Sequence, residues 1–237
     1  MSRWDSISIT AHYTGQIWVR AGMPWSWPFD TWRGRAMYNM SEPLFNLATR
    51  AGLNTPLQFC LQRHRILDHL VEQRRPVQMV ELAGGLGPRS LAFAQKLGVP
   101  CLDVDLPNMV AFKSHLLGDA APPSYVQRPL DLIESDDYVA DLGDALRRVS
   151  PTVVVTEGLL PYFDAPQRQH IFEQIAALLR HCGGGVYLTD MHHQEAVDRM
   201  GPVGFAFRTA LHHMTDTVQA TLIQDMDEGR TVMKAAG

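Results

Sequence analysis

VQMVELAGGLGPRSLAFAQKLGVPCLDVDLP, residues 77–107, is the stretch on which the fold turns. It opens with a short Val-rich apolar run, VQMVELA (77–83), which the glycines of GGLGP interrupt. Pro88 suits the first turn of a helix, and PRSLAFAQKL stops at Gly98, a fitting C-terminal residue. A second apolar run, VPCLDVDLP (99–107), follows at once. Strand, helix and strand within about 30 residues make a βαβ unit, whose two strands must run parallel. Working outward, the alternation continues. Pro107 and Gly118 bracket a helix, SYVQRPLDL (124–132) is a weaker third strand, and DDYVADLGDALRRV (136–149) is a helix. PTVVVTEGLL (151–160) is the strongest strand in the chain. FDAPQRQHIFEQIAALLRHCGGG then opens on Asp164 as N-cap, with Gln167 three residues on, and GVYLTD (185–190) is the fifth strand. Upstream, Leu57, Cys60, Leu61, His64, Leu67 and Val71 recur at helical spacing, with Arg63 at the edge of that stripe. The pattern predicts an α/β fold with a doubly wound, mostly parallel sheet. In the tail, HHQEAVDRM and FAFRTALHHM read as helical, and TVQATLIQD with RTVMKAAG reads as a closing antiparallel hairpin.

Composition narrows the function classes. The chain has 237 residues with a formal net charge of −4, against the basic field a dedicated nucleic-acid binder needs. Apolar residues make up 46% and charged residues 19%, enough to bury a core. Cys60, Cys101 and Cys182 are odd in number and far apart, so neither a disulfide framework nor a zinc knuckle follows. No apolar stretch approaches a membrane helix, and MSRWDSISITAHYT has no apolar signal region; a cytoplasmic protein with no membrane partner is expected.

Ligands of doubly wound sheets bind beyond the carboxyl ends of the strands, near the switch in strand order. After strand one stand Glu81, Ala83, Gly84, Gly85 and Gly87, leading into a helix N-terminus with free N–H groups. After strand two stands Asp105, next to Leu106, with Asp103 two residues earlier; after strand three, Asp131 and Leu132; after strand four, Glu157. A dinucleotide fingerprint would need a third glycine where Ser90 sits, and Glu81 is foreign to it; the loop suits the E-x-G-x-G-x-G type instead, with Ala83 for the first glycine. Asp105 can take both hydroxyls of a ribose or cap the next helix, and Asp103 is read as structural. A buried, unpaired Glu157 would be costly, so a cationic ligand amine is its expected partner.

VELAGGLGPRSLAF, DVDLP, PLDL and TEGLLPYF, with RHRILDHL upstream, together resemble the leucine carboxyl methyltransferase family, which includes polyketide-type O-methyltransferases. The resemblance covers roughly residues 60–190. It implies a seven-stranded, Rossmann-like class I fold and S-adenosyl-L-methionine as cofactor. Arg63 is implied for the methionine carboxylate, the loop at Ala83, Gly84 and Gly85 beside Glu81 for the methionine portion, and Asp105 with Leu106 for the ribose. Asp131 and Leu132 are implied for adenine, and Glu157 for the methionine amine. Where the family loop reads G-A-G-L-D-T-R this chain has A-G-G-L-G-P-R (83–89), keeping Arg89.

All five tryptophans, Trp4, Trp18, Trp25, Trp27 and Trp32, fall in the first 32 residues. Residues 1–55 are therefore expected to form a helical lid lining an apolar acceptor pocket, with Trp27, Arg35 and Tyr38 as substrate contacts, on a cofactor-binding core of residues 56–237. His192, just beyond strand five, and Tyr162 are the catalytic candidates; adjacent histidines face apart, so no metal is expected. The expected function is O-methyl transfer to a small-molecule carboxylate or hydroxyl in secondary metabolism. The rival readings are a nicotinamide-dependent oxidoreductase and a non-catalytic methyltransferase-like subunit. The sequence leaves the acceptor and the oligomeric state open.

Overall fold

The computed structural model describes residues 3–52, 55–191 and 225–236. Two long helices come first, α1 (Arg3–Arg20) and α2 (Trp32–Arg50), joined by a 3-10 turn at Trp27–Phe29. Then follow α3 (Pro56–Arg74), β1 (Gln78–Leu82), α4 (Arg89–Leu97), β2 (Cys101–Asp105), α5 (Pro107–Leu117) and β3 (Tyr125–Pro129). The second half holds α6 (Tyr138–Leu142), β4 (Thr152–Thr156), a 3-10 turn at Leu160–Tyr162, α7 (Ala165–His181), β5 (Gly185–Thr189) and α8 (Met226–Ala235). Capping explains the sharper boundaries. Thr55 with Gln58, and Asp164 with Gln167, form reciprocal capping boxes at α3 and α7. Gly98 ends α4 at a φ of 66° that only glycine adopts freely.

All strand pairs are parallel, in the order β3-β2-β1-β4-β5. The chain winds outward one way through β2 and β3, then returns to the other side of β1, so the switch lies between β1 and β4. Alternation divides each strand between two cores. Met79, Cys101, Val153 and Val155 face a cluster filled by Leu67 and Val71 of α3, Leu91 and Phe93 of α4, and Ala11 and Phe29 from the N-terminal segment. Val80, Leu82, Leu102, Val104 and Val154 face Tyr138, Ile171, Ile175, Leu178 and Cys182 on the other side. A third, smaller cluster joins Ile17 and Trp18 to Tyr38 and Cys60, tying α1, α2 and α3 together. Each cluster thus contains one of the three buried free cysteines.

Three expectations are corrected. Five strands, not seven, are found among the described residues. The helix expected over 136–149 stops at Leu142, because the buried Gln78 side chain takes the next turn's backbone: Arg147 N–H donates to Gln78 Oε1 at 2.8 Å, and Gln78 Nε2 donates to Arg147 O at 3.2 Å. Of RTVMKAAG, residues 230–235 are helical rather than a hairpin strand, since Asp225 accepts the N–H groups of Asp227 and Glu228 and so nucleates α8. Residues 192–224, with HHQEAVDRM, FAFRTALHHM and most of TVQATLIQD, lie outside the described residues.

Candidate active site

The glycine loop is shaped by contacts that exclude a side chain. A Cβ on Gly84 would lie 3.0 Å from the Glu81 carboxyl carbon, and one on Gly87 would lie 2.7 Å from Gly84 O. Gly85 has φ of 54°, as Ala83 has 55°, and a Cβ there would meet that of Ala11 at 3.2 Å. Helix α1 therefore runs directly over the loop. Gly15, one turn on, passes Leu86 as closely.

Asp105 ends β2 beside this loop. Its Oδ2 accepts Gly85 N–H and its Oδ1 accepts Leu106 N–H, both at 2.8 Å. Leu106, not Asp105, is the N-cap of α5. Burial, then the nearby Asp103 carboxylate, push the Asp105 carboxyl up to about 6, against the pull of the two backbone N–H groups. Asp103 is itself held by Lys113 Nζ and Tyr125 Oη, both at 2.6 Å. Lys113 is 1% exposed, lies over the Phe29 ring, and also donates to Gly87 O at 2.9 Å. It braces the loop from below.

A buried ion network fills the space between β1, β4, β5 and α3. Arg89 donates to Asp68 through Nε (2.7 Å), to Glu81 through Nη1 (2.9 Å) and to Glu157 through Nη2 (2.5 Å). Arg63 joins Glu157 (2.9 Å) to Asp190 (3.0 Å), which also accepts Gly158 N–H at 2.7 Å. His64 Nδ1 lies 2.8 Å from Glu157, and its ring stacks on Trp18 of α1 at 4.3 Å. Arg89 foremost, then His64 and Arg63, hold the Glu157 carboxyl far below the usual range despite burial. Arg63 and Arg89 are correspondingly fixed as cations by the carboxylates around them. Glu157 is thus not the unpaired buried carboxylate that the sequence alone suggests. Two guanidiniums already compensate it. Four carboxylates (Asp68, Glu81, Glu157, Asp190) thus share the two guanidiniums and the His64 ring.

A profile of the leucine carboxyl methyltransferase family matches residues 21–176, more than half of the chain. The chain belongs to the leucine carboxyl methyltransferase family. Relatives provisionally named S-adenosyl-L-methionine-dependent methyltransferases agree. One from Mycobacterium avium (strain 104) is 33% identical over 103 residues, 43% of this chain and 33% of that protein. A second from the same strain is 30% identical over 141 residues, 58% and 44% of the two chains. The chain thus spans less than half the length of these relatives. Among solved structures, an O-methyltransferase family protein from Burkholderia thailandensis is 19% identical with a TM-score of 0.50, over 97% of this chain and 66% of that one. Human N-acetylserotonin methyltransferase, in complex with SAM, is 18% identical with a TM-score of 0.50, over 99% and 60%. These two likenesses establish a class I methyltransferase fold.

Within that family frame, the structure gathers Arg63, Glu81, Ala83, Gly84, Gly85, Asp105, Leu106 and Glu157 at the carboxyl ends of β1, β2 and β4. Asp131 lies after β3, where its Oδ1 accepts Ile133 N–H at 2.9 Å, and Leu132 O accepts the Tyr138 hydroxyl. The substrate candidates do not converge. Trp27 is 63% exposed, Arg35 is exposed and paired with Asp30 at 3.0 Å, and Tyr38 packs in the α1–α2–α3 cluster under Arg20. Tyr162 Oη lies 3.3 Å from Thr10 Oγ1 of α1; burial pushes its phenol up, so it is unsuited to take a proton. His192 lies outside the described residues. Sequence reasoning overlooked Asp68 and Lys113. An acid four residues after His64, on the stripe beside Arg63, was the available signal for the first; a lysine amid the apolar face of α5 was the signal for the second.

Proposed function

We propose that this chain binds S-adenosyl-L-methionine and transfers its methyl group to an oxygen of a small-molecule carboxylate or hydroxyl, in secondary metabolism. The carrying observation is Asp105: a buried carboxylate with a raised pKa, tied to the glycine loop and keeping one accepting direction on each oxygen. A vicinal diol supplies the two missing donors, so the residues present fit the cofactor's ribose. Arg63 Nη2, which makes no hydrogen bond among the described residues, suits the methionine carboxylate, while the Glu157 carboxylate beside it suits the cationic end. The cofactor supplies an electrophilic methyl on a sulfonium. The protein's part is alignment and exclusion of water: α1 roofs the loop through Ala11 and Gly15, as a lid would. A carboxylate acceptor needs no base at neutral pH.

The test is calorimetry with S-adenosyl-L-methionine and its demethylated product, followed by acceptor screening by mass spectrometry. Asp105→Ala should lose tenfold or more in affinity, as two charge-assisted bonds of about 1.5–3 kcal/mol each, partly replaced by water, would require. Wild-type protein that binds neither compound sinks the reading.

A further inference from the structure

On the buried stripe of α3, His64 reads from the sequence as packing, but its two ring nitrogens stand in different surroundings. The ring is 2% exposed and stacks on Trp18, centroids 4.3 Å apart and planes 28° from parallel. Stacking accounts for an aromatic ring here; a phenyl would stack as well. It does not account for Nδ1, which lies 2.8 Å from Glu157 Oε2. A carboxylate oxygen only accepts, so that contact requires the hydrogen on Nδ1; a bare Nδ1 would set its lone pair against Oε2. Arg89 Nη2, 2.9 Å from Nδ1, spends its own hydrogen on the same oxygen at 2.5 Å. Nε2 has no hydrogen bond among the described residues, and Asp68 Oδ2 stands off at 3.6 Å. The ring borders a cavity of about 110 Å³ that Asp68, Glu72 and Lys96 also line, so a bare Nε2 meets polar surroundings.

The two oxygens of Glu157 are thereby made unequal. Oε2 receives Arg89 and His64, which fill both of its accepting directions. Oε1 receives only Arg63 Nε, at 2.9 Å, among the described residues and keeps one direction to spare. We infer that His64 is a positioning residue for methyl transfer: its Nδ1–H fixes the rotation of the Glu157 carboxylate, so that Oε1 is held ready for the methionine amine of S-adenosyl-L-methionine. The inference rests on the reading of Glu157 as the partner of that amine. Two guanidiniums alone would hold the charge of Glu157 but leave Oε2 a second lone pair. The amine could then bind either oxygen, in two orientations. The imidazole removes one of them, and with it an entropy cost of alignment.

His64→Leu and His64→Asn test this as a pair. Their side chains have the same branched shape and both lose the ring, but only Asn carries a donor where Nδ1 stood. Calorimetry compares S-adenosyl-L-methionine with 5′-methylthioadenosine, which has the nucleoside but no amino acid. His64→Leu should lose about tenfold in affinity for the first, in line with one charge-assisted hydrogen bond, and keep its affinity for the second. His64→Asn should bind both within about threefold of wild type, although both variants melt lower for want of the ring. Equal affinities of the two variants for S-adenosyl-L-methionine overturn the inference. So does a His64→Leu chain that loses both ligands alike, which would make His64 structural. Nitrogen-15 NMR needs no folded Leu variant: the ring signal that His64→Asn removes should show a hydrogen on Nδ1, and one found on Nε2 alone overturns the inference. Wild type that binds neither compound sinks the function reading, and this inference with it. Wild type that binds both, with His64→Leu unchanged, sinks only this inference.

Discussion

Asp105 and Glu157 are both buried acids, yet the protein treats them in opposite ways. The Asp105 carboxyl is raised to about 6, so between its ordinary value near 4 and pH 6 the folded chain holds a proton that the unfolded chain has released. Stability contributed by that proton is complete below pH 4 and is lost as pH rises through 6, a change of roughly 3 kcal/mol. Asp105→Asn should therefore flatten the pH dependence of urea unfolding between 4 and 6. In wild type, ribose binding favours the ionised form, so calorimetry near pH 6 in buffers of different ionisation heat should show a proton released on binding. Glu157 is the reverse case. Its depressed pKa gives stability that is present above about pH 4.5 and lost only in stronger acid. Glu157→Gln removes the counter-charge that Arg63 and Arg89 share but leaves Asp190 on the first and Asp68 and Glu81 on the second, so it should cost about 1–3 kcal/mol at pH 7 in chemical denaturation. A variant that unfolds like wild type would mean that Glu81, Asp68 and Asp190 suffice to hold both guanidiniums.

At the scale of elements, α1 is both roof and core. Ile17 of α1 and Phe29 of the turn after it have no exposed surface, and Trp18 stacks on His64, so removing the first 35 residues should unfold the protein rather than merely uncover a cleft. Gly34 offers a subtler handle. A Cβ there would stand 2.5 Å from His12 O, so α1 and α2 can cross this closely only with glycine. Gly34→Ala should cost about 1–3 kcal/mol in thermal or urea melts and loosen α1 over Gly85. Amide exchange across residues 10–18 should then quicken, and S-adenosyl-L-methionine affinity should fall; unchanged exchange would show that α1 is held by α3 alone. The core elements were legible because their signals are local: β1, β2 and β4 are near-continuous apolar runs, and α3 and α7 announce themselves by capping boxes. The curtailed α6 was not legible, because its ending depends on Gln78, which meets it across 69 residues of chain. Apart from Asp68, which stands on α3, the acids of the site were readable from their places after strands. Their pairings were not, since Arg89 meets Asp68, Glu81 and Glu157 only through the tertiary fold. The orientation of Trp27 and Arg35 was closed to the sequence for a related reason: composition marks a segment as aromatic and basic without saying which way each side chain faces.

For the whole molecule, the sheet is a partition with one packed compartment on each side and a third under the N-terminal helices, and each compartment carries a single thiol. Burial raises all three, that of Cys101 to about 12, so none presents a thiolate to a reagent while the fold is closed. Alkylation of the native protein becomes a clock with three hands. Modification of Cys60 times the parting of α1 and α2 from α3; that of Cys101 and Cys182 times the opening of the two sides of the sheet. Mass-resolved labelling in mild urea should tag Cys60 first, because its compartment holds the fewest buried side chains, with Cys101 and Cys182 following together at global unfolding. Bound S-adenosyl-L-methionine should slow the first hand most, turning an unreactive cysteine into a gauge of how tightly the roof is shut.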